Sequence, residues 1–162
     1  MADHSDTVVE QWRAQRPDLD PSPMATFTRL WRASRAADEA LQRVFSAHGL
    51  EAGWFDVLAT LRRAGPPHRL SAGTLARGLV MTTGGMTKRL DKLQAAGLVS
   101  RTPDPDDRRG VLVSLTRKGL KVVDRAVEDH LANEARLLEG LSDREIRALN
   151  ATLGKLLAAW EG

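Results

Sequence analysis

The stretch LSAGTLARGLVMTTGGMTKRLDKLQAAGLVSRTPDPDDRRGVLVSLT, residues 70–116, contains the patterns that decide the fold. A short helical pattern begins after Ser71, whose hydroxyl can cap a helix. A second helical pattern begins at Thr82 or Thr83, and Gly97 ends it. Two short runs of strand-type residues then flank a charged tip. The stretch therefore predicts two helices in close succession followed by a β-hairpin, which is a winged helix-turn-helix.

Apolar residues at helical spacing surround this stretch on both sides. Upstream they predict a short helix to about Arg16, a long helix that Ser22 can cap, and a third helix that the Gly-Pro-Pro of residues 65–67 ends. Downstream, a long helix follows Thr116, and a last helix opens at Ser142 with the spacing of a capping box. The apolar stripe of the last helix is wide enough for burial against a partner. The predicted fold class is mainly α with a small β-hairpin wing.

Composition and charge restrict the function. The chain has 162 residues, of which 42% are hydrophobic and 28% charged, an ordinary globular balance. No apolar run approaches the length of a membrane span and no signal-peptide pattern opens the chain, so we expect a cytoplasmic protein without a membrane partner. Cysteine is absent, which excludes disulfides and thiolate chemistry. From Arg62 to Arg125 there are 14 Lys and Arg against 5 Asp and Glu, although the net charge is only +3. This asymmetry predicts that the middle of the chain faces a polyanion, with a solvated basic face as the alternative.

The charged hairpin tip predicts contacts with DNA. Arg108 and Arg109 stand where a wing reaches the DNA backbone or the minor groove, whose narrow A·T tracts concentrate negative potential. Asp107 lies two residues before Arg109, on the same side of an extended segment, and can fix that arginine in place. Asp104 and Asp106 are expected to make hydrogen bonds within the turn. An exposed hairpin held by ion pairs is the structural alternative.

The first turns of the second helix predict the other half of a DNA interface. Thr82, Thr83 and Gly84 are small enough to let the helix backbone approach phosphates and base edges closely. Thr87 and Lys88 can also contact bases or phosphates. Asn, Gln and Arg are absent from the first turn, so direct base reading is limited and much of the affinity should depend on salt.

With these features the sequence resembles the MarR family of transcriptional regulators, from about residue 24 to residue 160. The resemblance implies a homodimer that places two winged helix-turn-helix lobes on a pseudo-palindromic operator in double-stranded DNA. It also implies release of the DNA by a small anionic or phenolic effector. The implied parts of one interlocked domain are residues 1–48 (an added helix and the first dimerisation helix), residues 49–115 (the DNA-binding lobe) and residues 116–162 (the C-terminal dimerisation helices).

The N-terminal stretch EQWRAQRPDLDPSPM, residues 10–24, is similar to the urate-responsive, PecS-like branch of that family. The branch binds its effector with a Trp of the added helix, an Asp of the helix before the helix-turn-helix, and two Arg residues. Those types stand here as Trp12, Asp56, Arg89 and Arg101. An aromatic face can stack a flat purine, and arginines can pair with its anionic oxygens. The alternatives are packing for Trp12, an ion pair between Asp56 and Arg89, and phosphate contact for Arg101.

An enzyme, a regulator with another ligand and an architectural DNA-binding protein are the alternatives to a urate-responsive regulator. The four histidines lack metal-ligand spacing, and no nucleophile motif or phosphate-binding glycine loop is present, so we expect no enzyme, no metal and no cofactor. A regulator that responds to a phenolic compound, a drug or a carboxylate such as trans-aconitate remains open. So does an architectural winged-helix protein without ligand control.

Overall fold

The computed structural model describes residues 3–108 and 110–161, and it confirms the predicted fold class. The helices of this part are α1 His4–Gln15, α2 Ser22–Ala47, α3 Trp54–Arg63, α4 Ala72–Gly78, α5 Thr83–Ala95, α6 Arg117–Leu138 and α7 Asp143–Glu161. The strands are β1 Arg69–Ser71, β2 Val99–Pro103 and β3 Val111–Leu115. In the described ranges, no helix has both the length and the apolar character that a membrane span requires.

The wing is a three-stranded antiparallel sheet in the order β1-β3-β2, and not a hairpin alone. Strand β2 pairs with β3 from Val99 opposite Leu115 to Pro103 opposite Val111, as the two strand-type runs predicted. Strand β1, which was not predicted, pairs along the other edge of β3. Its three residues are too few for an alternating pattern, and its conformation depends on pairing with a distant strand.

Both helices of the helix-turn-helix are capped as the sequence predicts. The Ser71 hydroxyl accepts a hydrogen bond from the Thr74 N–H at 3.1 Å, at the start of α4. Of the two threonines before α5, Thr82 is the cap, and its hydroxyl oxygen accepts from the Gly85 N–H at 3.1 Å. These side chains satisfy backbone donors that have no partner within the helix, and they fix where each helix begins.

Of the caps predicted for α2 and α7, the one at the start of α2 is wrong. Ser22 does not cap α2, because it is already helical and its N–H donates to the Asp20 carboxylate at 3.0 Å. The prediction at α7 is confirmed. There the Ser142 N–H donates to Glu145 Oε2 at 2.8 Å, and the Glu145 N–H donates to Ser142 Oγ at 3.4 Å. Hydrogen bonds from the side chain and backbone of Ser142 hold the pKa of Glu145 below its ordinary value.

The chain forms two compact units, Met1–Leu41 and Gln42–Gly162. In the first unit, Arg29 of α2 pairs with Asp3 at 3.0 Å and with Asp6 of α1 at 2.7 Å. The hydrogen bond from Arg29, followed by the bond from the Asp3 N–H, holds the pKa of Asp6 below its ordinary value. Val9 of α1 is buried. The added helix is therefore attached to α2 by charge as well as by apolar contact.

The second unit contains the apolar core beneath the DNA-binding elements. Its most buried side chains come from α3, α5, β3 and α6 and include Leu58, Leu61, Leu93, Val113 and Val123, each at most 1% exposed. Burying a side chain of this size contributes about 1.5–3 kcal/mol. Helix α7, by contrast, buries none of its side chains within the chain.

The start of α6 is fixed against the end of α5. The Thr116 N–H donates to the Leu98 carbonyl at 3.1 Å, and the Lys118 ammonium donates to the Ala96 carbonyl at 2.8 Å. Gly119 is buried in this contact, and a Cβ there would overlap the Leu98 carbonyl oxygen. The end of α5, the second helix of the helix-turn-helix, and the first turn of α6 are thus in direct contact.

Helices α2, α4 and α5 end in the same hydrogen-bonded turn. In each turn one residue is left-handed, and the N–H of the next residue donates to the carbonyl five positions earlier. The donor-acceptor pairs are Leu50 to Phe45 at 3.0 Å, Met81 to Ala76 at 2.9 Å and Leu98 to Leu93 at 3.0 Å. The left-handed residues are Gly49 (φ 68), Val80 (φ 51) and Gly97 (φ 71). Only valine carries a side chain there, and that conformation costs an L-residue about 1–2 kcal/mol.

Candidate nucleic-acid interface and effector site

The recognition helix α5 presents an uncovered first turn. Thr82, Thr83 and Gly84 lie at the surface, and a Cβ built on Gly84 would meet no atom within 4 Å. Thr87 is exposed one turn later, and its hydroxyl donates to the Thr83 carbonyl at 3.0 Å. Lys88 is exposed beside it. The residues predicted to contact DNA on this helix therefore form one accessible surface.

The wing tip is closed by a compact set of hydrogen bonds. The Asp104 N–H donates to the Gly110 carbonyl at 3.0 Å, and the Gly110 N–H donates to the Asp107 carbonyl at 2.8 Å. A Cβ on Gly110 would lie 2.7 Å from the Asp104 Cβ, so the turn requires glycine at this position. The Asp104 carboxylate accepts from the Asp106 N–H at 3.1 Å, as the sequence predicted. Arg108 is exposed on this turn.

The predicted pair at the wing tip is Arg109 with Asp107. Arg109, expected in the minor groove, lies outside the described residues. Its expected partner Asp107 is exposed at the turn. The pairing of these two residues stays a prediction from the sequence.

Part of the basic charge around this surface is neutralised within the chain. The ion pairs are Arg62 with Asp124 at 2.7 Å, Lys92 with Glu51 at 2.8 Å and Arg101 with Asp91 at 2.7 Å. Among the described residues, Lys88 and Arg108 make no ion pair with an acidic side chain. These two cations are therefore available to phosphates without first losing a partner.

One predicted effector residue, Arg89, reaches the start of α3, the helix that carries Asp56. The Arg89 guanidinium of α5 lies against Gly53, where a Cβ would overlap it. Gly53 is the N-cap of α3, with φ 74, and Asp56 follows in the first turn of that helix. In the part of the chain that the structure describes, Arg89 and Asp56 do not form the ion pair considered as an alternative. The recognition helix thus places an arginine at the helix that carries Asp56.

Arg101 lies on a different face of the recognition helix. Its guanidinium pairs with Asp91 at 2.7 Å, and its Nε donates to Gln94 Oε1 at 2.5 Å. At 100° per residue, Asp91 and Gln94 face away from Arg89 on α5. The structure therefore joins strand β2 of the wing to α5 through Arg101, on the side of α5 that faces away from Arg89.

Trp12, the fourth predicted effector residue, belongs to the first compact unit. Trp12 is 45% exposed and lines a cleft of about 260 Å³ with two charged and four apolar residues, which are Arg16, Asp20, Leu19, Pro21, Pro23 and Met24. These neighbours are mostly apolar. The stretch that resembles the urate-responsive branch thus forms an open apolar cleft around its tryptophan.

Comparison with known proteins identifies the family. Residues 48–110, which include the helix-turn-helix and the wing tip, match the model of the MarR family. The HTH-type transcriptional regulator PecS of Dickeya dadantii is 42% identical over 149 residues, which cover 92% of this chain and 90% of PecS. The chain belongs to the MarR family of transcriptional regulators. This membership, with the shared fold, makes it a regulator and not an enzyme.

Solved structures of MarR-family proteins have the same architecture. A cysteine-to-serine mutant of E. coli MarR, solved in complex with operator DNA, superposes with a TM-score of 0.75 at 27% identity and covers 86% of this chain and 98% of that one. Bordetella bronchiseptica BpsR, whose DNA binding is regulated by 6-hydroxynicotinic acid, gives a TM-score of 0.70 at 27% identity over 80% of this chain and 90% of that one.

Sequence reasoning missed several residues at this site. Asp91 and Gln94 of α5 bind Arg101 of β2, and no local sequence pattern predicts this contact. Gly53 makes room for Arg89. Val80 exposes 95% of its surface in the turn before α5, and the unusual valine after Gly78-Leu79 was the available signal.

Proposed function

We propose that this MarR-family protein is a homodimeric repressor that binds a pseudo-palindromic operator and is released from it by a small anionic ligand such as urate. The uncovered first turn of α5, beside a wing whose tip exposes Arg108, is the observation that carries the DNA-binding part. Thr82, Gly84 and Lys88 would enter the major groove, and Arg108 and Arg109 would reach the minor groove or the backbone. The operator complex of E. coli MarR supports this arrangement.

The homodimer is supported by apolar surface on the helices at both ends of the chain. Helix α7 buries no side chain, although Leu149 and Leu157 are 43% and 50% exposed. Trp31 of α2 is 71% exposed and Leu131 of α6 is 58% exposed. In proteins most helical stability comes from packing an amphipathic face, which these helices leave exposed within the chain. We assign residues 1–48 and 116–162 to dimerisation and residues 49–115 to DNA binding.

The effector part of the proposal rests on the contact between Arg89 and the first turn of α3. An anion bound by the Arg89 guanidinium would be repelled by Asp56, which lies in that turn. Binding would therefore favour a different separation of α3 and the recognition helix, which is the differential interaction that release requires. Arg101 would have to leave Asp91 to join this site, and the resemblance to the urate-responsive branch assigns stacking of the flat ring to Trp12. The regulation of BpsR by 6-hydroxynicotinic acid supports a flat aromatic anion.

Fluorescence anisotropy tests both parts of the proposal. The full-length protein is titrated, at fixed salt, onto DNA from upstream of its own gene and onto a shuffled fragment, with and without urate. Preferential binding that urate reverses is the expected result. Failure to prefer the upstream DNA over the shuffled fragment would overturn the operator-binding part of the proposal. If binding survives urate, phenols and carboxylates such as trans-aconitate and 6-hydroxynicotinic acid are tested instead.

The substitution Trp12→Ala is expected to raise the urate concentration for half-release about tenfold, because stacking on an aromatic face contributes about 0.5–1.5 kcal/mol beyond area burial. DNA affinity without urate should stay at the parental value. Trp12→Phe is the matched control, since it keeps an aromatic face. A Trp12→Ala protein that responds to urate like the parent would remove Trp12 from the site.

The substitution Leu157→Glu is expected to weaken the dimer about 100-fold, because each subunit would bury an unpaired carboxylate at the interface. Sedimentation velocity over a range of protein concentrations measures this. Lys155→Glu adds the same carboxylate on α7, two residues away and therefore on another face of the helix, and should leave the dimer intact. Equal sedimentation of both variants would argue against α7 as a dimerisation helix.

A further inference from the structure

Val80 occupies a backbone position that this chain otherwise gives to glycine. The turns at the ends of α2, α4 and α5 share one hydrogen-bond pattern and one left-handed residue, which is Gly49 or Gly97 in two of them. In the turn after α4 it is Val80, at φ 51. A β-branched side chain in this conformation is uncommon because it crowds the backbone. The chain itself shows that glycine would serve in the same turn.

Nothing within the described chain compensates for this strain. The side chain of Val80 is 95% exposed, so its methyl groups pack against almost nothing. Because no packing contact within the chain offsets the backbone strain at Val80, the strain indicates a contact with another molecule.

The position of Val80 indicates what that contact is. Val80 lies two residues before Thr82, the cap of the recognition helix, so their Cα atoms are within about 7.6 Å of each other. The accessible surface of Thr82, Thr83 and Gly84 continues directly from it. With the first turn of α5 in the major groove, as proposed, a residue at this place would meet the same groove. Among the base edges of the major groove, only thymine offers an apolar group, its C5-methyl.

We propose that Val80 is a specificity-determining residue that packs its side chain against the C5-methyl group of a thymine in the operator. This inference rests on the proposed function, because it requires operator binding. It adds an apolar contact to an interface whose remaining predicted contacts are polar or charged. The strained valine thus exchanges stability of the free protein for recognition of one base.

A double-substitution cycle tests the contact. Parent, Val80→Gly and Val80→Ala proteins are titrated onto the upstream fragment and onto the same fragment amplified with uracil in place of thymine, which removes only the methyl groups. Val80→Gly should bind the thymine fragment about fourfold more weakly than the parent, the factor expected for one apolar carbon removed from water. On the uracil fragment the two proteins should bind equally. Val80→Ala keeps the strained backbone and removes two methyl groups, so it should lose the same preference.

Thermal melting of the free proteins supplies a second readout. Val80→Gly should melt at a higher temperature than Val80→Ala, because it relieves the left-handed strain. If the Val80→Gly protein binds both fragments as the parent does, or loses the same factor on both, the thymine contact is wrong. A parent that does not distinguish the upstream fragment from shuffled DNA would instead overturn the proposed function.

Discussion

The Gly119→Ala substitution is expected to lower the melting temperature by about 6–12 °C. The new Cβ would overlap the backbone carbonyl oxygen of Leu98, which cannot rotate away as a side chain could. Overpacking of this kind costs about 1–3 kcal/mol, and contact with backbone belongs at the upper end. For a chain of this size, 1 kcal/mol shifts the melting temperature by about 2–4 °C. Differential scanning calorimetry measures the change directly.

The same substitution should weaken operator binding even at a temperature where the protein is folded. Leu98 immediately precedes β2, and Lys118 donates to the Ala96 carbonyl at the end of α5. A shift of the first turn of α6 would therefore move the wing relative to the recognition helix. Gly140→Ala is the matched control, since a Cβ there meets nothing within 4 Å. If both variants melt and bind alike, Gly119 is not tightly packed in solution.

Elements that depend on neighbouring residues could be predicted from the sequence. The caps Ser71 and Thr82 bond to N–H groups three residues ahead, and the pair of Ser142 and Glu145 does the same in both directions. Each signal is complete within a few residues, so a pattern can contain it. The hairpin of β2 and β3 belongs to the same class, because one short turn joins strands that pair with each other.

Features that depend on distant residues could not be predicted. Strand β1 exists because Arg69 lies opposite Ser114, 45 positions later. The Arg101 guanidinium is held by Asp91 across a helix end, so an arginine expected at an effector was found in an ion pair. Ser22 and Asp20, at the start of α2, are both residue types that cap helices. Their order along the chain does not reveal that the Asp20 carboxylate accepts the backbone hydrogen bond there.

The substitution Gly53→Ala is expected to raise the urate concentration for half-release about tenfold. The new Cβ would overlap the Arg89 guanidinium, the flexible end of its side chain, so Arg89 moves away and the fold survives. A hydrogen bond to a charged group contributes about 1.5–3 kcal/mol, so displacing this arginine from an anionic ligand should cost at least about a factor of ten. Isothermal titration calorimetry with urate, in the absence of DNA, separates this loss from any effect on operator affinity.

The matched control for this prediction is Gly49→Ala. Gly49 also has a left-handed backbone, with φ 68 against φ 74 at Gly53, so alanine strains both positions similarly. A Cβ on Gly49 meets nothing within 4 Å, so only the substitution at Gly53 displaces Arg89. Gly49→Ala should therefore lower the melting temperature about as much while leaving urate binding unchanged. Equal loss of urate binding in both variants would attribute the effect to backbone strain, and parental binding in Gly53→Ala would remove Arg89 from the effector site.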